Sequence, residues 1–285
     1  MTNFASISSP ASVREGILLA RTVRAGILRP AGEFPQAHAP GSANGFAGIP
    51  IAEAFAAHHE ITVALVGRPD PRTGYLVGIQ DVDALVRAHG WPLLEEMSRE
   101  PGIPSAGCAV RRLAGALVPH LPAGCRLHSV EWAPSPFLQH SWSPDMPDHA
   151  TLTEHFEFSA AHRLHCPDLG DDENRRIFGK CNHPSGHGHN YRVAVSVRVA
   201  VGAGAPALGA GALASIVNRC VIDRFDHRHL NVDCPEFAGL NPSVEHIAMV
   251  CHGLLGREVA AAGAALARVT VWETEKTSAT FPAGD

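Results

Sequence analysis

The chain has 285 residues, of which 45% are hydrophobic and 18% charged, and its formal net charge is −5. This apolar content is sufficient for one or two hydrophobic cores and excludes a disordered, collagen-like or coiled-coil chain. The negative charge excludes the basic surface that binds nucleic acid without sequence preference. No apolar run is as long as a membrane span and no basic-then-apolar leader opens the chain, so we expect neither membrane insertion nor secretion.

The cysteines and histidines indicate where the chain works and what chemistry it uses. The seven cysteines are scattered and include no CxxC pair, which predicts reduced thiols in a cytoplasmic protein rather than a disulfide framework. The count of 18 histidines is high. Histidine is the side chain that most often ligates metals and transfers protons near neutral pH. A metal or acid/base site is therefore expected.

The pattern along the chain predicts two domains. Residues 133–150 contain four prolines and no periodic apolar pattern, so they predict a linker between domains 1–147 and 148–285. After this linker the order is strand, strand, helix, helix, strand, strand. The first half repeats this order loosely: His189 lies 130 residues after His59, and Trp272 lies 140 residues after Trp132. The two offsets favour a diverged duplication. Residues 11–30 are compatible with a strand pair or a short helix.

Three histidines of the second half form a candidate metal site. His187 and His189 flank one glycine on a predicted strand, so both rings lie on one strand face with Cα atoms about 6.5 Å apart. This spacing allows both rings to reach one ion at about 2.0–2.1 Å. His162, in phase with the phenylalanine-lined face of the preceding predicted strand, adds a third ligand. Three protein ligands leave a coordination position open, which catalytic zinc requires.

Other polar residues near these histidines are candidates for acid/base work. Cys181 lies six residues before His187 and next to Lys180. A thiol beside a metal and a lysine is expected to have a lowered pKa and to act as a base or nucleophile. The alternative is an inert buried cysteine. Asp226 and His227 provide an adjacent acid/base pair, which could instead be a solvated helix cap.

Glu273 points toward the apolar side of its predicted strand, in phase with Val269 and Val271. A buried carboxylate needs a partner. A guanidine-like ring edge with two N–H donors would be a bidentate partner of the right shape. A salt bridge at the strand end is the alternative.

Five motifs of the second half, in order, resemble the 6-pyruvoyl-tetrahydropterin synthase family and its bacterial relative, 6-carboxy-tetrahydropterin synthase. They are FSAAHRLH, FGKCNHPSGHGHNY, FDHRHLN, NPSVEHIA and VWETEKT, within about residues 152–285. The five residues between the cysteine and HGH resemble the spacing in the pyruvoyl enzyme, whereas the NPS-x-E segment resembles that of the carboxy enzyme. The product therefore stays open, as does the pathway: a biopterin-like cofactor or a modified tRNA base (queuosine).

The resemblance implies an α+β architecture of two tandem tunnelling-fold (T-fold) domains, each an antiparallel four-stranded sheet backed by two helices. It implies a zinc-dependent carbon–oxygen lyase that acts on 7,8-dihydroneopterin triphosphate and eliminates triphosphate. The roles that it implies are zinc ligation by His162, His187 and His189, proton abstraction by Cys181, a second acid/base function for Asp226 and His227, and pterin anchoring by Glu273 and Thr274.

The first half lacks most of this set. His38 and His59 lie near the first and third ligand positions, but Ala57 occupies the second, and Ala133 stands where the second half has Glu273. One or two imidazoles do not hold zinc tightly against water. We therefore expect residues 1–147 to be a T-fold copy that has lost its site.

Members of this family assemble into rings with active sites at the seams. The resemblance therefore implies a homo-oligomer in which three chains mimic a hexamer of T-folds. Two other functions are considered: a T-fold enzyme with a different pterin or purine substrate, and a non-catalytic pterin-binding or assembly module. Because the second half has all the residues of the site, the sequence favours the enzyme.

Overall fold

The computed structural model describes residues 16–28, 56–99, 105–202 and 208–284. The elements of the first half are β1 (Ile17–Leu28), β2 (Ala56–Gly67), α1 (Ile79–Leu85), α2 (Trp91–Arg99), α3 (Ala106–Leu117), β3 (Cys125–Ser135) and β4 (Leu138–Trp142). Those of the second half are β5 (His149–His162), α4 (Asp171–Phe178), β6 (His187–Ala200), α5 (Ala210–Val217), α6 (Asp223–Phe225), β7 (Arg228–His229), α7 (Leu230–Asp233), α8 (Val244–Ala261), β8 (Ala265–Thr274) and β9 (Thr277–Phe281). In the described ranges the first half has two strands, three α-helices and two closing strands. The second half has the same order, with α4 between its first two strands and β7 among its later helices.

The nine strands of the described residues belong to one sheet, in the order β1-β2-β3-β4-β5-β6-β8-β9, with the two-residue β7 paired in parallel to β5. The neighbours along the main order are antiparallel. The α+β class is confirmed. The two separate four-stranded sheets that we expected are instead joined, because β4 pairs with β5 from Leu138↔Glu154 to Trp142↔Ala150.

The predicted linker at residues 133–150 is wrong, since strand structure runs through most of it. Pro134 lies at the end of β3, and Pro136 lies in the turn to β4. Pro144 and Pro147 lie in the turn between β4 and β5. The prolines therefore mark two turns on either side of a five-residue strand, positions where a missing N–H costs no ladder bond.

Other expectations for local structure have mixed outcomes. Residues 17–28 form one long strand, so neither a strand pair nor a helix forms there; residues 11–15, 29 and 30 lie outside the described residues, as does His38. The second predicted helix is confirmed as α8: Ser243 is its N-cap, and its side chain accepts a hydrogen bond from the backbone N–H of His246. None of the helices in the described ranges has both the length and the apolarity of a membrane span.

The two faces of the sheet differ because side chains alternate along each strand. On the face covered by the helices, Val63, Val193 and Val271 are fully buried in a core that extends through both halves. The opposite face is polar, and pairs of hydroxyl groups cross from strand to strand; Thr153 and Ser196 lie 2.8 Å apart, for example. The metal-site candidates of β5 and β6 lie at one end of the helix-covered face.

Helix α3 of the first half packs on strands of the second half. Gly107 lies so close to β5 and β6 that an added Cβ would be 3.1 Å from Val201, 3.3 Å from Ala150 and 3.4 Å from Val199. One turn later, Arg111 Nη1 donates a hydrogen bond to the carbonyl of Val201 at 3.2 Å. The halves therefore share a packed boundary as well as a strand pair.

We expect Gly107→Val to destabilise the protein by about 1–3 kcal/mol, because the added methyl groups overpack this boundary. Urea unfolding followed by circular dichroism measures the change. Gly115→Ala in the same helix is the control: an added Cβ there has no neighbour within 4 Å, so it should raise stability by about 0.5–1 kcal/mol. Equal stability of Gly107→Val and the wild type would contradict the close packing.

Candidate metal centre

The strand register brings the three predicted histidines together. His162 ends β5 and pairs with His187, the first residue of β6, while His189 pairs with Ala160. The ring centroids of His162 lie 4.6 Å from His187 and 5.2 Å from His189, and the latter two lie 4.7 Å apart. Alternation along β6 puts both of its imidazoles on the helix-covered face, as the HGH spacing predicts.

Glu273 joins this group from β8. Its Oε1 atom lies 3.2 Å from Nε2 of His162 and 3.3 Å from Nε2 of His189. One ligand atom from each of His162, His187, His189 and Glu273 lies within 4.8 Å of all the others, and this is the one such group found in the described ranges. We expected this carboxylate to face a ligand ring. In the structure its partners are imidazoles.

The orientation of His162 is fixed from behind. Its Nδ1 donates a 2.7 Å hydrogen bond to the carbonyl of Pro242, directly before the N-cap of α8, and its side chain is fully buried. This bond assigns the proton to Nδ1 and leaves the lone pair of Nε2 facing His187 and Glu273. A backbone carbonyl behind a histidine is the usual outer contact of a metal ligand, since it fixes both ring angle and tautomer.

The electrostatics of the group suit a divalent cation. Burial, and then the neighbouring imidazoles, lower the pKa of His187. Burial also lowers the pKa of His189, although Glu273 opposes it. Both rings are therefore neutral at neutral pH, the form that binds metals. Nδ1 of His187 and Nε2 of His189 are buried without a hydrogen-bond partner. Three imidazoles, two of them with an unpartnered ring nitrogen, and a neighbouring carboxylate are a donor set that fits Zn²⁺.

Cys181 lies in a 3₁₀ turn between α4 and β6, where its carbonyl accepts a hydrogen bond from the N–H of Leu164. Burial, and then the charge of Glu273, raise the pKa of its thiol. The expected lowering of this pKa by Lys180 is therefore wrong. The reason is that the charge acting on the thiol is the carboxylate of Glu273, whereas Lys180 is exposed.

Asp226 and His227 lie beside β5, where both bond to Ser159. Asp226 Oδ1 accepts the N–H of Ser159 at 2.8 Å, and the N–H of His227 donates to the carbonyl of Ser159 at 2.6 Å. The two side chains also bond each other: His227 Nδ1 lies 2.7 Å from Asp226 Oδ2. We expected no such bond between sequence neighbours, but a left-handed φ of 57° at His227 turns its ring back.

The imidazole of His227 is exposed, unlike those of the metal-site group. The side chain of His227 is 82% exposed, and hydrogen bonds to Ser159 and His227 lower the pKa of Asp226. In the described part of the chain, neither residue bonds to the metal-site group. Thr274 is also exposed, at the end of β8, where its Oγ1 accepts the N–H of Lys276 at 3.2 Å.

The first half has other residues at the same register positions. Ile27 pairs with Ala57 as His162 pairs with His187, and Ala25 pairs with His59 as Ala160 pairs with His189. Those two positions of β1 and β2 therefore place Ile27, rather than a histidine, at the position of the first ligand.

The position of Glu273 is also filled differently in the first half. Val63 pairs with Val130 as Val193 pairs with Val271 in the second half. Trp132 lies two residues after Val130 and pairs with Ile61, and Glu273 lies two residues after Val271. Trp132 is therefore at the place of Glu273. The expectation that Ala133 stands there is wrong by one residue. The indole Nε1 of Trp132 donates to Nδ1 of His59 at 3.1 Å. An indole therefore occupies that place and binds the surviving imidazole, whose pKa burial lowers to about 4.

Sequence reasoning did not assign two neighbours of the imidazoles to the site, the carbonyl of Pro242 and the ring of Tyr191. The carbonyl of Pro242 gave no signal, because a backbone acceptor has no sequence signature. Tyr191 did give one: it lies two residues after His189 and therefore shares its strand face. Its ring centroid lies 5.6 Å from that of His189 and 6.0 Å from that of His162.

The second half of the chain, which contains the imidazoles and Glu273, is similar to known proteins. A family model described as 6-pyruvoyl tetrahydropterin synthase matches residues 151–283. A Homo sapiens 6-pyruvoyl tetrahydrobiopterin synthase is 34% identical over 127 residues, which are 44% of this chain and 86% of that protein. A putative 6-pyruvoyl tetrahydrobiopterin synthase of Caenorhabditis elegans is 37% identical over 124 residues, 44% of this chain and 88% of that protein.

Among solved structures, that of a Caenorhabditis elegans 6-pyruvoyl tetrahydropterin synthase has a TM-score of 0.44 and 34% identity, over 48% of this chain and 96% of the other. The family-model match lies within the second half, where the imidazoles and Glu273 are.

We expect His187→Ala to lose zinc, because it removes one of the three imidazoles. The apparent affinity should fall by more than the ~10–100-fold that the loss of an outer contact produces. Competition with a chromophoric chelator at pH 7.5 measures it. His183→Ala, which removes an exposed histidine from the loop before β6, should leave zinc affinity unchanged. Equal affinities of the two variants would show that His187 is not a ligand.

Proposed function

Since the chain belongs to the 6-pyruvoyl tetrahydropterin synthase family, we propose that it is a zinc-dependent enzyme that converts 7,8-dihydroneopterin triphosphate with elimination of triphosphate, a carbon–oxygen lyase. The observation that carries this proposal is the meeting of three imidazoles at the ends of β5 and β6, within the region that matches the family. We place the catalytic unit in residues 148–285 and regard residues 1–147 as a unit of the same strand order without a site.

In this proposal His162, His187 and His189 hold the zinc. Bound there, zinc supplies a Lewis acid that polarises oxygens of the substrate side chain and so acidifies the neighbouring C–H. The hydrogen bond from His162 to Pro242 keeps one ligand preset. The neutral state of His187 and His189 means that metal binding displaces few protons near neutral pH.

We assign the removal of the substrate proton to Cys181. As a thiolate, a form that a bound zinc ion would stabilise, Cys181 takes the proton from the side-chain carbon. The electron pair of the broken C–H bond stays on the substrate. That pair allows the C–O bond to the triphosphate to break, and the leaving oxygen keeps the electrons of that bond. Electrons and atoms balance without an added oxidant or reductant. The reaction then continues either to a diketo side chain or to side-chain cleavage.

We assign the binding of the pterin ring to Glu273, with Thr274 beside it. A carboxylate can accept two N–H donors from one ring edge. The neighbouring imidazoles, His162 first, lower the pKa of Glu273, so the group is an anion at neutral pH. Its Oε1 lies 3.2 Å from Nε2 of His162, so a ring bound by this carboxylate would lie next to the metal ligands.

Asp226 and His227 are proposed as the second acid/base group. Their mutual hydrogen bond orients an imidazole that is free to exchange protons. Because the side chain of His227 is 82% exposed and bonds to none of the imidazoles in the described residues, we propose that it acts on a site of another copy. The protein is then a homo-oligomer, and we propose that it works in the cytoplasm.

Turnover tests the proposed function directly. We expect zinc-loaded protein incubated with 7,8-dihydroneopterin triphosphate to release triphosphate. Acetaldehyde in the same mixture would identify the carboxy product, and its absence the pyruvoyl product. Cys181→Ala should retain zinc and lose about 100-fold or more of the rate, because a base of this kind contributes that much.

Cys220→Ala is the matched control, since Cys220 lies in a helical turn of α5–α6 outside the site; it should retain the rate. Triphosphate release by neither the wild type nor this control would overturn the enzyme proposal and favour a pterin-binding or assembly module. Loss of zinc from Cys181→Ala would make the thiol a ligand.

A mixture of two inactive variants tests whether the site is shared between chains. Cys181→Ala retains the Asp226–His227 pair, and His227→Ala retains the thiol. If the pair acts on another copy, co-expression of the two variants should form some complete sites and restore turnover well above either parent. A rate equal to the mean of the parents would instead place both groups in one chain.

A further inference from the structure

We propose that the hydroxyl group of Tyr191 positions the substrate, by donating a hydrogen bond to a hydroxyl oxygen of the pterin side chain. The inference rests on the proposed function, and it adds a specificity residue to the same site. It concerns the side chain of the substrate and is separate from the binding of the ring.

The first support is the location of the ring. Tyr191 follows His189 by two residues on β6, so both project from the same face of the strand. Its ring centroid lies 5.1 Å from Phe158, with nearly parallel planes, and 6.0 Å from His162. The side chain has no exposed surface. The phenol is thus a wall of the imidazole group.

The second support is the state of the hydroxyl. It is buried, and none of the described residues provides it with a hydrogen-bond partner. Buried tyrosine hydroxyls usually have partners, since an unpaired one is unfavourable. Phenylalanine would fill the same space without that penalty, as Phe158 does next to it. Packing therefore explains the ring and leaves the oxygen unexplained.

The third support is the chemistry around the hydroxyl. A phenol hydroxyl can donate one hydrogen bond. The ring of Tyr191 lies beside two of the imidazoles assigned to the metal, and the metal is proposed to act on oxygens of the substrate side chain. A donor beside these imidazoles fits an acceptor oxygen on that side chain.

Two unreactive pterins separate this role from a structural one. Neopterin has a trihydroxypropyl side chain, whereas 6-methylpterin has the same ring and no side-chain oxygen. We expect Tyr191→Phe in the zinc-loaded chain to weaken the binding of neopterin by about 5–10-fold, the effect of one hydrogen bond, and to leave 6-methylpterin binding unchanged. Fluorescence titration of each ligand measures both dissociation constants.

Three controls sharpen the comparison. Tyr75→Phe removes a hydroxyl that is largely exposed, on a loop, and should change neither constant. Glu273→Gln should weaken both ligands, since it acts on the ring. Zinc content should be equal in Tyr191→Phe and the wild type. The ligand-free Tyr191→Phe protein should also melt no lower than the wild type, because the hydroxyl has no partner to lose.

The binding results distinguish a wrong role for Tyr191 from a wrong proposed function. If Tyr191→Phe weakens both pterins equally, or neither, or if it melts well below the wild type without ligand, the assignment of Tyr191 is wrong while the proposed function stands. If the wild type binds neither pterin, the proposed function fails, and the inference fails with it.

Discussion

The register between β5 and β6 is the constraint on which the candidate site depends. Fourteen residue pairs, from His149↔Ala200 to His162↔His187, fix the two strands against each other. A slip of one residue would turn His162 to the polar face and separate it from His187 and His189. The buried valines of β6 hold the register on one face, and the Thr153–Ser196 hydroxyl pair holds it on the other. The packing of the second half thereby positions the ligands.

Periodicity was sufficient to predict the core of the site. Period-two alternation placed His187 and His189 on one face, and the phase of the preceding strand added His162. The strands on both sides of the second-half helices were predicted in the same way. All of these depend on spacing within one element, or on which face of a strand is apolar, and both can be counted along the chain.

The errors concern features that spacing does not encode. The bond between Asp226 and His227 needs a positive φ at a residue other than glycine, which the surrounding structure imposes. The approach of Glu273 to His162 depends on how far β8 continues beside β6. The prolines of residues 133–150 resembled a linker because turns and linkers share composition. Trp132 was misplaced because aligning tryptophan with tryptophan ignored the strand pairing, which is decided by partners far away in sequence.

The continuity of the sheet also restricts how copies of this chain combine. One molecule contributes both its halves to a single run of strands, joined at β4 and β5, and the ends of that run are the chemically different edges β1 and β9. Growth that extends the run from β9 of one molecule into β1 of the next adds half-units two at a time. A closed ring made in this way has an even number of half-units. In such a ring three chains would supply six half-units, whereas two stacked rings of three would divide a molecule between layers and break its β4–β5 ladder.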